Sequence, residues 1–391
     1  MKLAKSWEEQ HDDNGTKALW KDYCLEAYGR RKLRIGYLSS DYCNHPVSRF
    51  LLPVLKHHDK SLLEIWGLNT GPHWDTVSNA IKQECNHWLE LNYLTDLQAA
   101  RVITDQRLDV LIELGGYTGN SRLGICLHHP APIQMSYLGY PGATYLDSIP
   151  WWIGDDILFK TLEGESKHHS LIKIDGGYMC MPYIVQAGTP EDSTFNAPFR
   201  FGSFNHARKL TSRTISLWIS ILKQSIDSEL LLKSISFLEE AEIERIRQRF
   251  LQAGVDPKRI RLLPWAKKFE EHISSYNKID VALDPVPYGG ATTTAESLSM
   301  GVPVVCYHGA GMVGSLSASI LNSAGLDKLI NYSEHDYINC AVKLYNSGKR
   351  SSKDREQLAK YIATSPLSDS RRVSEGLETA FYECVKQVQE Y

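Results

Sequence analysis

Apolar runs alternate with amphipathic stretches along the first half of the chain. The apolar runs cover residues 33–38, 63–68 and 108–114, and the amphipathic stretches that follow them cover residues 47–58, 74–85 and 122–129. Such alternation is typical of parallel strands joined by crossover helices. The pattern predicts a Rossmann-like α/β domain over residues 33–190, preceded by a helical segment over residues 1–32.

The same alternation begins again after a Pro- and Gly-rich stretch over residues 176–198. Residues 191–365 are therefore predicted to form a second Rossmann-like domain, with strands over residues 200–204, 229–235, 259–263, 280–284 and 302–307. Helices are expected over residues 334–346, 352–363 and 372–390, and Pro366 separates a C-terminal helical segment over residues 366–391. Two facing domains with parallel sheets would place a site at the carboxyl ends of their strands.

Composition narrows the class of protein. The 391 residues are 42% hydrophobic and 23% charged, with a net charge of −3, which is ordinary for a soluble two-domain chain. The absence of a basic excess argues against nucleic acid as a partner. No apolar run reaches the roughly 18 residues that a membrane helix needs, and residues 1–10 lack the apolar core of a signal peptide. We therefore expect a cytoplasmic protein with no membrane partner.

Residues that commonly bind metals are scattered. The eight cysteines show no zinc-type spacing, and we interpret them as small buried hydrophobes. Three adjacent histidine pairs, at 57/58, 128/129 and 168/169, would point in different directions on a helix. No Asp-x-Asp triplet, the usual carboxylate pair for a metal on a nucleotide diphosphate, occurs in the chain. The sequence therefore predicts no metal site.

The most informative segment covers residues 283–298, where an apolar strand runs into a glycine turn and then a helix. Gly289 and Gly290 would let the backbone approach a ligand closely, and the first amides of the helix could bind an anion together with the Thr292 and Thr293 hydroxyls. Glu296 would then accept hydrogen bonds from a ribose. An ordinary helix start explains the segment equally well, with Thr as the N-cap and Glu296 completing a capping box.

Three other loops follow predicted strands and carry candidate chemistry. His45 precedes Pro46 at a helix start and could act as a base. Gly115 and Gly116 would suit a close ligand approach or a tight turn, and Lys209 could neutralise a diphosphate leaving group. Each of these features alone is also common in ordinary loops and surfaces.

Taken together, six separated motifs resemble the catalytic region of the O-GlcNAc transferase / SPINDLY family of glycosyltransferases. The resemblance covers roughly residues 33–390, and its specificity comes from the order and spacing of the motifs. They are Asn44-His45-Pro46, Gly116-Tyr117-Thr118, Ala131-Pro132-Ile133-Gln134 with Leu138-Gly139-Tyr140-Pro141-Gly142, Phe204-Asn205 with Lys209, and Gly289-Gly290-Ala291-Thr292-Thr293-Thr294 before Gly301-Val302-Pro303.

The resemblance implies a GT-B fold and inverting transfer of a sugar from a nucleotide sugar to Ser/Thr hydroxyls of a protein or peptide, without metal or cofactor. His45 would be a candidate base and Lys209 would stabilise the diphosphate. The acceptor side would include Gly116, Tyr117, Tyr140 and Pro141. The donor would be bound by Asn205, His272, Gly290, Ala291, Thr292, Thr293, Thr294 and Glu296.

The chain departs from the O-GlcNAc transferase pattern in places. O-GlcNAc transferases carry His-Thr-Thr-Gly followed by Asp, whereas Ala291-Thr292-Thr293-Thr294 followed by Glu296 resembles the SPINDLY-type O-fucosyltransferases, and Asp109 stands where animal O-GlcNAc transferases have histidine. UDP-GlcNAc is the first expectation for the donor, with GDP-fucose as the alternative. No tetratricopeptide array precedes the first strand, so acceptor choice is expected from another chain, from residues 1–32 or from the cleft itself.

Two other classes of function remain open. Residues 309–314 match the G-x-G-x-x-G fingerprint of an NAD-dependent dehydrogenase, although Leu329-Ile330-Asn331 stands where a strand ending in an acidic residue is expected. An inactive sugar-nucleotide binding protein is the other alternative. Retention of both Lys209 and the threonine run argues against it, because a scaffold needs neither.

Overall fold

A computed structural model describes residues 2–11, 18–22, 31–162, 170–181, 197–266 and 268–389. The chain divides into two compact units, residues 1–181 with 369–391 and residues 182–368. The predicted domain boundary at residues 190/191 lies outside the described residues. Residues 366–391 were expected to form a segment of their own, but the helix they contain belongs to the first unit.

The first unit contains a seven-stranded sheet in which every neighbouring pair is parallel. Its order is β3-β2-β1-β4-β5-β6-β7, with β1 Leu33–Ser39, β2 Leu63–Asn69, β3 His87–Glu90, β4 Val110–Glu113, β5 Ile133–Ser136, β6 Trp151–Gly154 and β7 Ser170–Lys173. The three strands predicted in this unit are confirmed. The other four, of four residues each, were not predicted.

Helices flank this sheet. They are α1 Lys2–His11, α2 Pro46–His57, α3 Thr76–Glu84, α4 Asp96–Asp105, α5 Gly124–Leu127 and α6 Asp156–Phe159, together with α14 Ser370–Gln389 from the end of the chain. Of these, α2, α3, α5 and α14 begin and end within about two residues of their predicted positions, whereas α4 and α6 were not predicted. The stretch predicted over residues 122–129 shortens to the single turn of α5. Asp75 delays the start of α3, because its side chain caps the amides of Val77 and Ser78.

The C-terminal helix α14 is attached to the first unit by a buried polar contact. Glu378 Oε1 lies 2.8 Å from His58 Nδ1 and accepts a hydrogen bond from the Asp59 amide at 2.9 Å. His58 Nε2 lies 2.7 Å from the Tyr37 hydroxyl of β1. Apolar periodicity predicts this helix but cannot show which unit it rejoins.

The second unit contains a six-stranded parallel sheet of order β10-β9-β8-β11-β12-β13. The strands are β8 Arg200–Ser203, β9 Glu229–Lys233, β10 Ile260–Leu263, β11 Val281–Leu283, β12 Val304–Tyr307 and β13 Ile330–Asn331. The helices are α7 Ser212–Gln224, α8 Glu240–Gln252, α9 Phe269–Ser274, α10 Thr292–Ser299, α11 Gly311–Ser323, α12 Glu334–Asn346 and α13 Ser352–Ala363. The predicted bounds of α12 and α13 are confirmed.

Each sheet has a topological switch point, where the strand order reverses direction. In the first unit it lies between β1 and β4, and in the second between β8 and β11. Loops that leave neighbouring strands in opposite directions open a crevice at the carboxyl ends, where open α/β sheets bind their ligands. Ligand-binding residues are therefore expected in the loops after β1, β4, β8 and β11.

The seven described cysteines form no disulfide, and Cys24 lies outside the described residues. Four of the seven are buried and three are partly exposed, so the interpretation as buried hydrophobes is confirmed for the four. Within the described ranges, no helix is both long enough and apolar enough to cross a membrane.

Asp109, the residue that departs from the animal O-GlcNAc transferase pattern, precedes β4 at the amino end of the sheet, away from the switch-point loops. Its buried carboxylate accepts hydrogen bonds from both terminal guanidinium nitrogens of Arg31, at 2.7 and 2.8 Å, and from the Arg34 amide at 2.8 Å. The contacts of the Asp109 carboxylate thus stabilise the fold of the first unit.

We predict that Asp109→Asn lowers the free energy of unfolding by about 2 to 4 kcal/mol, because it leaves buried donors without a charged acceptor. The control is Asp147→Asn, which removes an exposed ion pair with Lys5 and should cost less than about 1 kcal/mol. Urea unfolding of both variants measures the difference. Equal losses in the free energy of unfolding for the two variants would contradict the structural role of Asp109.

Candidate functional site

In the second unit, the loop after β11 leads into a helix whose start is not capped by a side chain. Residues 284–291 form the loop, and α10 begins at Thr292 with Ala291 as its N-cap. The first amides of a helix have no partner within it and can bind an anion. The alternative of a capping box is wrong here, because the third residue of α10 is Thr294 and Glu296 is the fifth.

Lys209 lies beside this helix start. It ends a 3₁₀ turn, Ala207–Lys209, that follows β8, and its Nζ donates to the Gly289 carbonyl at 2.7 Å and to Asn205 Oδ1 at 3.2 Å. The ammonium also lies 4.0 Å from the centroid of the Tyr288 ring. Thr293 Oγ1 donates to the same Asn205 oxygen at 3.2 Å. Asn205 thus holds a cation and a hydroxyl together at the switch point.

A buried carboxylate stabilises the loop behind Lys209. Asp284 Oδ1 accepts the Gly290 amide at 2.6 Å. Burial raises the pKa of Asp284 to about 6, against the opposing effects of the Ser317 hydroxyl, the Gly290 amide and Lys209. Burial likewise lowers the pKa of Lys209 to about 8, against the attraction of Asp284. At neutral pH both groups are therefore mostly charged.

Threonines 292–294 do not share one orientation. Thr292 and Thr293 are partly exposed at the start of α10, whereas Thr294 is buried and its hydroxyl lies 2.7 Å from Ser317 Oγ. Successive helix residues point about 100° apart, so three in a row cannot all face one anion. The Thr294 hydroxyl is thus turned toward Ser317, and the role of Thr294 in holding a phosphate at the helix start stays a prediction.

His272 and Glu296, both predicted to bind the donor, are brought together. His272 Nε2 lies 2.8 Å from Glu296 Oε2, and the Tyr276 hydroxyl lies 3.1 Å from the same oxygen. Both side chains are almost fully buried, with exposed fractions of 3% and 2%. Because Glu296 is buried, only the edge of its carboxylate could contact a ribose. One of the two carboxylate oxygens is already engaged by His272 and Tyr276.

Sequence reasoning missed two side chains next to this pair. Lys233 Nζ lies 3.0 Å from His272 Nδ1, and the ring of Trp265, which is 47% exposed, lies 4.7 Å from the His272 ring. A lysine that ends the apolar strand Leu230-Leu231-Leu232-Lys233 was a signal that could have been noticed.

In the first unit, His45 is presented by the loop after β1. It is the N-cap of α2, and its Nδ1 accepts the Val47 amide at 3.4 Å and lies 3.7 Å from Asp41 Oδ2. The His45 side chain is 43% exposed. Its position at the carboxyl end of β1 is the one that the sequence predicted.

Glu113, at the end of β4, is a further residue that the sequence did not single out. It accepts the amides of Gly115 and Gly116, both at 2.7 Å. Burial raises its pKa to about 7, and nearby Asp41 adds to this effect, while the two amides oppose it. A glutamate as the last residue of an apolar strand was the available signal.

Three of the four predicted acceptor-side residues lie in contact. Gly116 has a positive φ of 54°, and a Cβ there would collide with the Tyr140 side chain. Tyr117 and Tyr140 meet edge to face at 5.6 Å, and the Tyr117 hydroxyl donates to the Thr144 carbonyl at 2.7 Å. Pro141 follows Tyr140 in the same loop.

The G-x-G-x-x-G match at residues 309–314 does follow a strand and open a helix. It lies between β12 and α11, and the Gly309 amide donates to the Gly314 carbonyl at 2.8 Å. The next strand, β13, ends at Asn331, whose side-chain amide donates to the carbonyls of Cys306 and Leu329. A dinucleotide site needs a carboxylate acceptor at that strand end, and Asn331 provides an amide instead.

Comparison with known proteins gives one consistent family. The sequence model of glycosyl transferase family 41 matches residues 20–168 and 182–377. A rice protein named "Probable UDP-N-acetylglucosamine--peptide N-acetylglucosaminyltransferase SPINDLY" is 32% identical over 361 residues, which are 90% of this chain and 38% of the rice protein. An Arabidopsis thaliana protein with the same activity in its name and the designation SEC is 29% identical over 370 residues, which are 90% of this chain and 37% of the relative.

Solved structures agree with this result. A mutant O-GlcNAc transferase from Thermobaculum terrenum superposes with a TM-score of 0.87 at 27% identity, over 99% of this chain and 73% of the other. The lipopolysaccharide galactosyltransferase WaaB, at 10% identity and a TM-score of 0.58, shares the fold over 90% of this chain and all of its own. The two-sheet architecture is thus GT-B, and the dehydrogenase alternative is left without support.

We predict that Gly290→Ala weakens binding of the nucleoside diphosphate that the chain prefers, UDP or GDP, by about tenfold or more. The new Cβ would lie 2.6 Å from Thr294 Oγ1 and 2.7 Å from Thr293 Oγ1, and such overpacking costs about 1 to 3 kcal/mol. Gly119→Ala is the control, because a Cβ there meets nothing within 4 Å. Calorimetric titration measures both affinities, and unchanged binding by Gly290→Ala would exclude this loop from the nucleotide site.

Proposed function

Because the chain belongs to glycosyl transferase family 41, we propose that it transfers a sugar from a nucleotide sugar to Ser/Thr hydroxyls of an acceptor protein. The chain spans 38% of the length of the rice SPINDLY relative cited above, so this activity is proposed for the catalytic region alone. The observation that carries the proposal is the cluster of Lys209, Asn205 and Thr293 beside the start of α10.

A nucleoside diphosphate is the leaving group that this cluster suits. Charge accumulates on the departing phosphate oxygen as its bond to the sugar breaks, and fixed positive groups stabilise that charge. Lys209 supplies a cation, and the amides of α10 and the Thr293 hydroxyl supply donors. We propose on this basis that the reaction needs no metal and no cofactor.

The acceptor chemistry is assigned to the first unit. The acceptor oxygen attacks the anomeric carbon from the side opposite the departing diphosphate, which inverts the configuration, and its proton passes to a base. His45 is the proposed base, since it is half exposed at the carboxyl end of β1. Gly116, Tyr117, Tyr140 and Pro141 form the proposed acceptor surface, and buried Glu113 fixes the glycine turn beneath it.

UDP-GlcNAc is the donor we propose first, because the names of the plant relatives specify it. GDP-fucose is the second candidate. It is favoured by Ala291-Thr292-Thr293-Thr294 followed by Glu296, which resembles the SPINDLY-type O-fucosyltransferases rather than the O-GlcNAc transferases.

A thermal-shift panel of UDP, UDP-GlcNAc, UDP-glucose, GDP, GDP-fucose and NAD tests the proposal. A ligand at about 100 times its dissociation constant adds roughly 2.7 kcal/mol to the free energy of unfolding. Stabilisation by one nucleotide series is expected and identifies the donor base. Transfer of the matching radiolabelled sugar to protein then tests the reaction. Stabilisation by NAD alone would overturn the proposal.

We predict that Lys209→Met lowers kcat by about 100- to 1000-fold, as loss of a transition-state donor does. Lys223→Met, an exposed lysine on α7, should leave kcat unchanged. The active form of Lys209 is protonated, so its contribution is complete well below pH 8 and is lost as pH rises through about 8. Because kcat/KM reports the protonation of the free enzyme, a pH profile of kcat/KM for the wild type that stays flat between pH 7 and 9.5 would contradict this role.

A further inference from the structure

A lysine without an assigned role lies buried behind the start of α10. Lys233, the last residue of β9, is 2% exposed, and its Nζ contacts His272 Nδ1 at 3.0 Å and Ser275 Oγ at 2.9 Å. The ammonium also lies 5.5 Å from the Phe204 ring and 5.6 Å from the Trp265 ring. Burying an ammonium is costly unless it is paired, so its location needs an explanation.

The direction of the hydrogen bonds connects Lys233 to Glu296. An ammonium can only donate, so His272 Nδ1 accepts and carries no proton. The neutral imidazole then has its hydrogen on Nε2, which donates to Glu296 Oε2 at 2.8 Å. The result is a chain of positive lysine, neutral histidine and negative glutamate, which we call the Lys233 bridge.

The bridge balances two charges that would each be unfavourable alone. Besides His272, the charged groups that face Lys233 are Glu296 of α10, Glu271 of α9 and Lys278 of the 3₁₀ turn Ser275–Lys278. Burial lowers the pKa of Lys233 to about 8; Glu296 and Glu271 counteract this effect, and Lys278 adds to it. Removing one member of a buried pair leaves an uncompensated charge.

The bridge also reaches the first turn of α10. Tyr276, whose hydroxyl contacts Glu296 Oε2, lies 3.1 Å from the Thr293 carbonyl oxygen through the same hydroxyl. Thr293 in turn donates to Asn205, which Lys209 contacts. The state of Lys233 is thereby connected to the residues proposed to hold the donor.

We propose that Lys233 is a positioning residue of the donor site, which acts through His272 to hold Glu296 and the start of α10 in place for the nucleoside half of the donor. This inference rests on the proposed function. It assigns Lys233 an effect on donor affinity and no contact with the reacting atoms.

The contribution of Lys233 to stability and its contribution to donor affinity change in opposite directions with pH. This difference separates a positioning role of Lys233 from a purely structural one. The pKa of Lys233 is lower in the folded than in the unfolded chain, so between about pH 8 and the ordinary lysine pKa the unfolded state binds more protons. The contribution of Lys233 to stability therefore rises with pH in that window. Its contribution to donor affinity falls over the same window, because the bridge loses its cation.

The test measures binding of UDP, GDP, UMP and GMP by calorimetry at pH 7 for wild type, K233M, E296Q and the double variant K233M/E296Q. We expect K233M to weaken binding of the preferred monophosphate and diphosphate alike by about 10- to 100-fold, with kcat changed much less than KM. K223M, which replaces an exposed lysine on α7 outside the bridge, is the control and should bind normally. Lys209→Met should affect the diphosphate more than the monophosphate.

The double variant keeps the proposal falsifiable if K233M unfolds, because it removes both buried charges. Lys233 acts only through Glu296, so K233M/E296Q should bind no more weakly than E296Q alone. An undiminished loss in the E296Q background would overturn the proposal.

A ligand-free measurement separates this inference from the proposed function. Nitrogen NMR of His272, assigned with H272Q, should show the Nε2-protonated tautomer at pH 7 in wild type and a changed protonation pattern in K233M. If neither nucleotide series binds wild type, the proposed function fails whatever the tautomer. Normal nucleotide binding by wild type and K233M alike overturns the positioning role alone.

Discussion

The buried carboxylate of Asp284 is the constraint on which the loop before α10 depends. It directly follows β11, accepts a hydrogen bond from the Gly290 amide and attracts Lys209. Lys209 in turn holds the Gly289 carbonyl and Asn205. The loop and the cation therefore fix each other, and the start of α10 is positioned before any ligand arrives. A preformed anion site of this kind avoids the cost of ordering a loop on binding.

The first unit uses the same arrangement with different residues. Glu113 ends β4 and accepts two amides of the glycine turn that follows, as Asp284 does for Gly290. Both strands border a switch point, and in both cases burial raises the pKa of the carboxyl, to about 7 and about 6. Where parallel strands end, backbone amides of the following turn lack ladder partners, and a carboxylate on the last strand residue or on the residue after it satisfies them. This explains why acidic residues stand at the ends of otherwise apolar strands.

The sequence predicts the long strands and the last three helices well, because their apolar patterns extend over many residues. It also predicts the cluster of Lys209, Asn205 and Thr293, since those residues follow strands whose carboxyl ends meet. It does not predict that Thr294 faces the interior, because that depends on the helix starting at Thr292. It misses Lys233 and the contact of α14 with the first unit, since both depend on side chains about 40 to 320 residues apart.

The second unit buries several charged groups near the start of α10. Replacing a buried ion pair by apolar residues of similar volume is often neutral or stabilising, so stability alone does not account for Lys209 with Asp284 or for Lys233 with Glu296. Both pairs lie along the same short path to the start of α10. An anion placed at that helix start would favour the protonated form of Lys209 and oppose the ionised form of Asp284. Burying the Lys209 cation would therefore be most unfavourable without a ligand and least unfavourable with a diphosphate bound. Because only an anion relieves this cost, the buried cation would contribute to selectivity for anionic ligands.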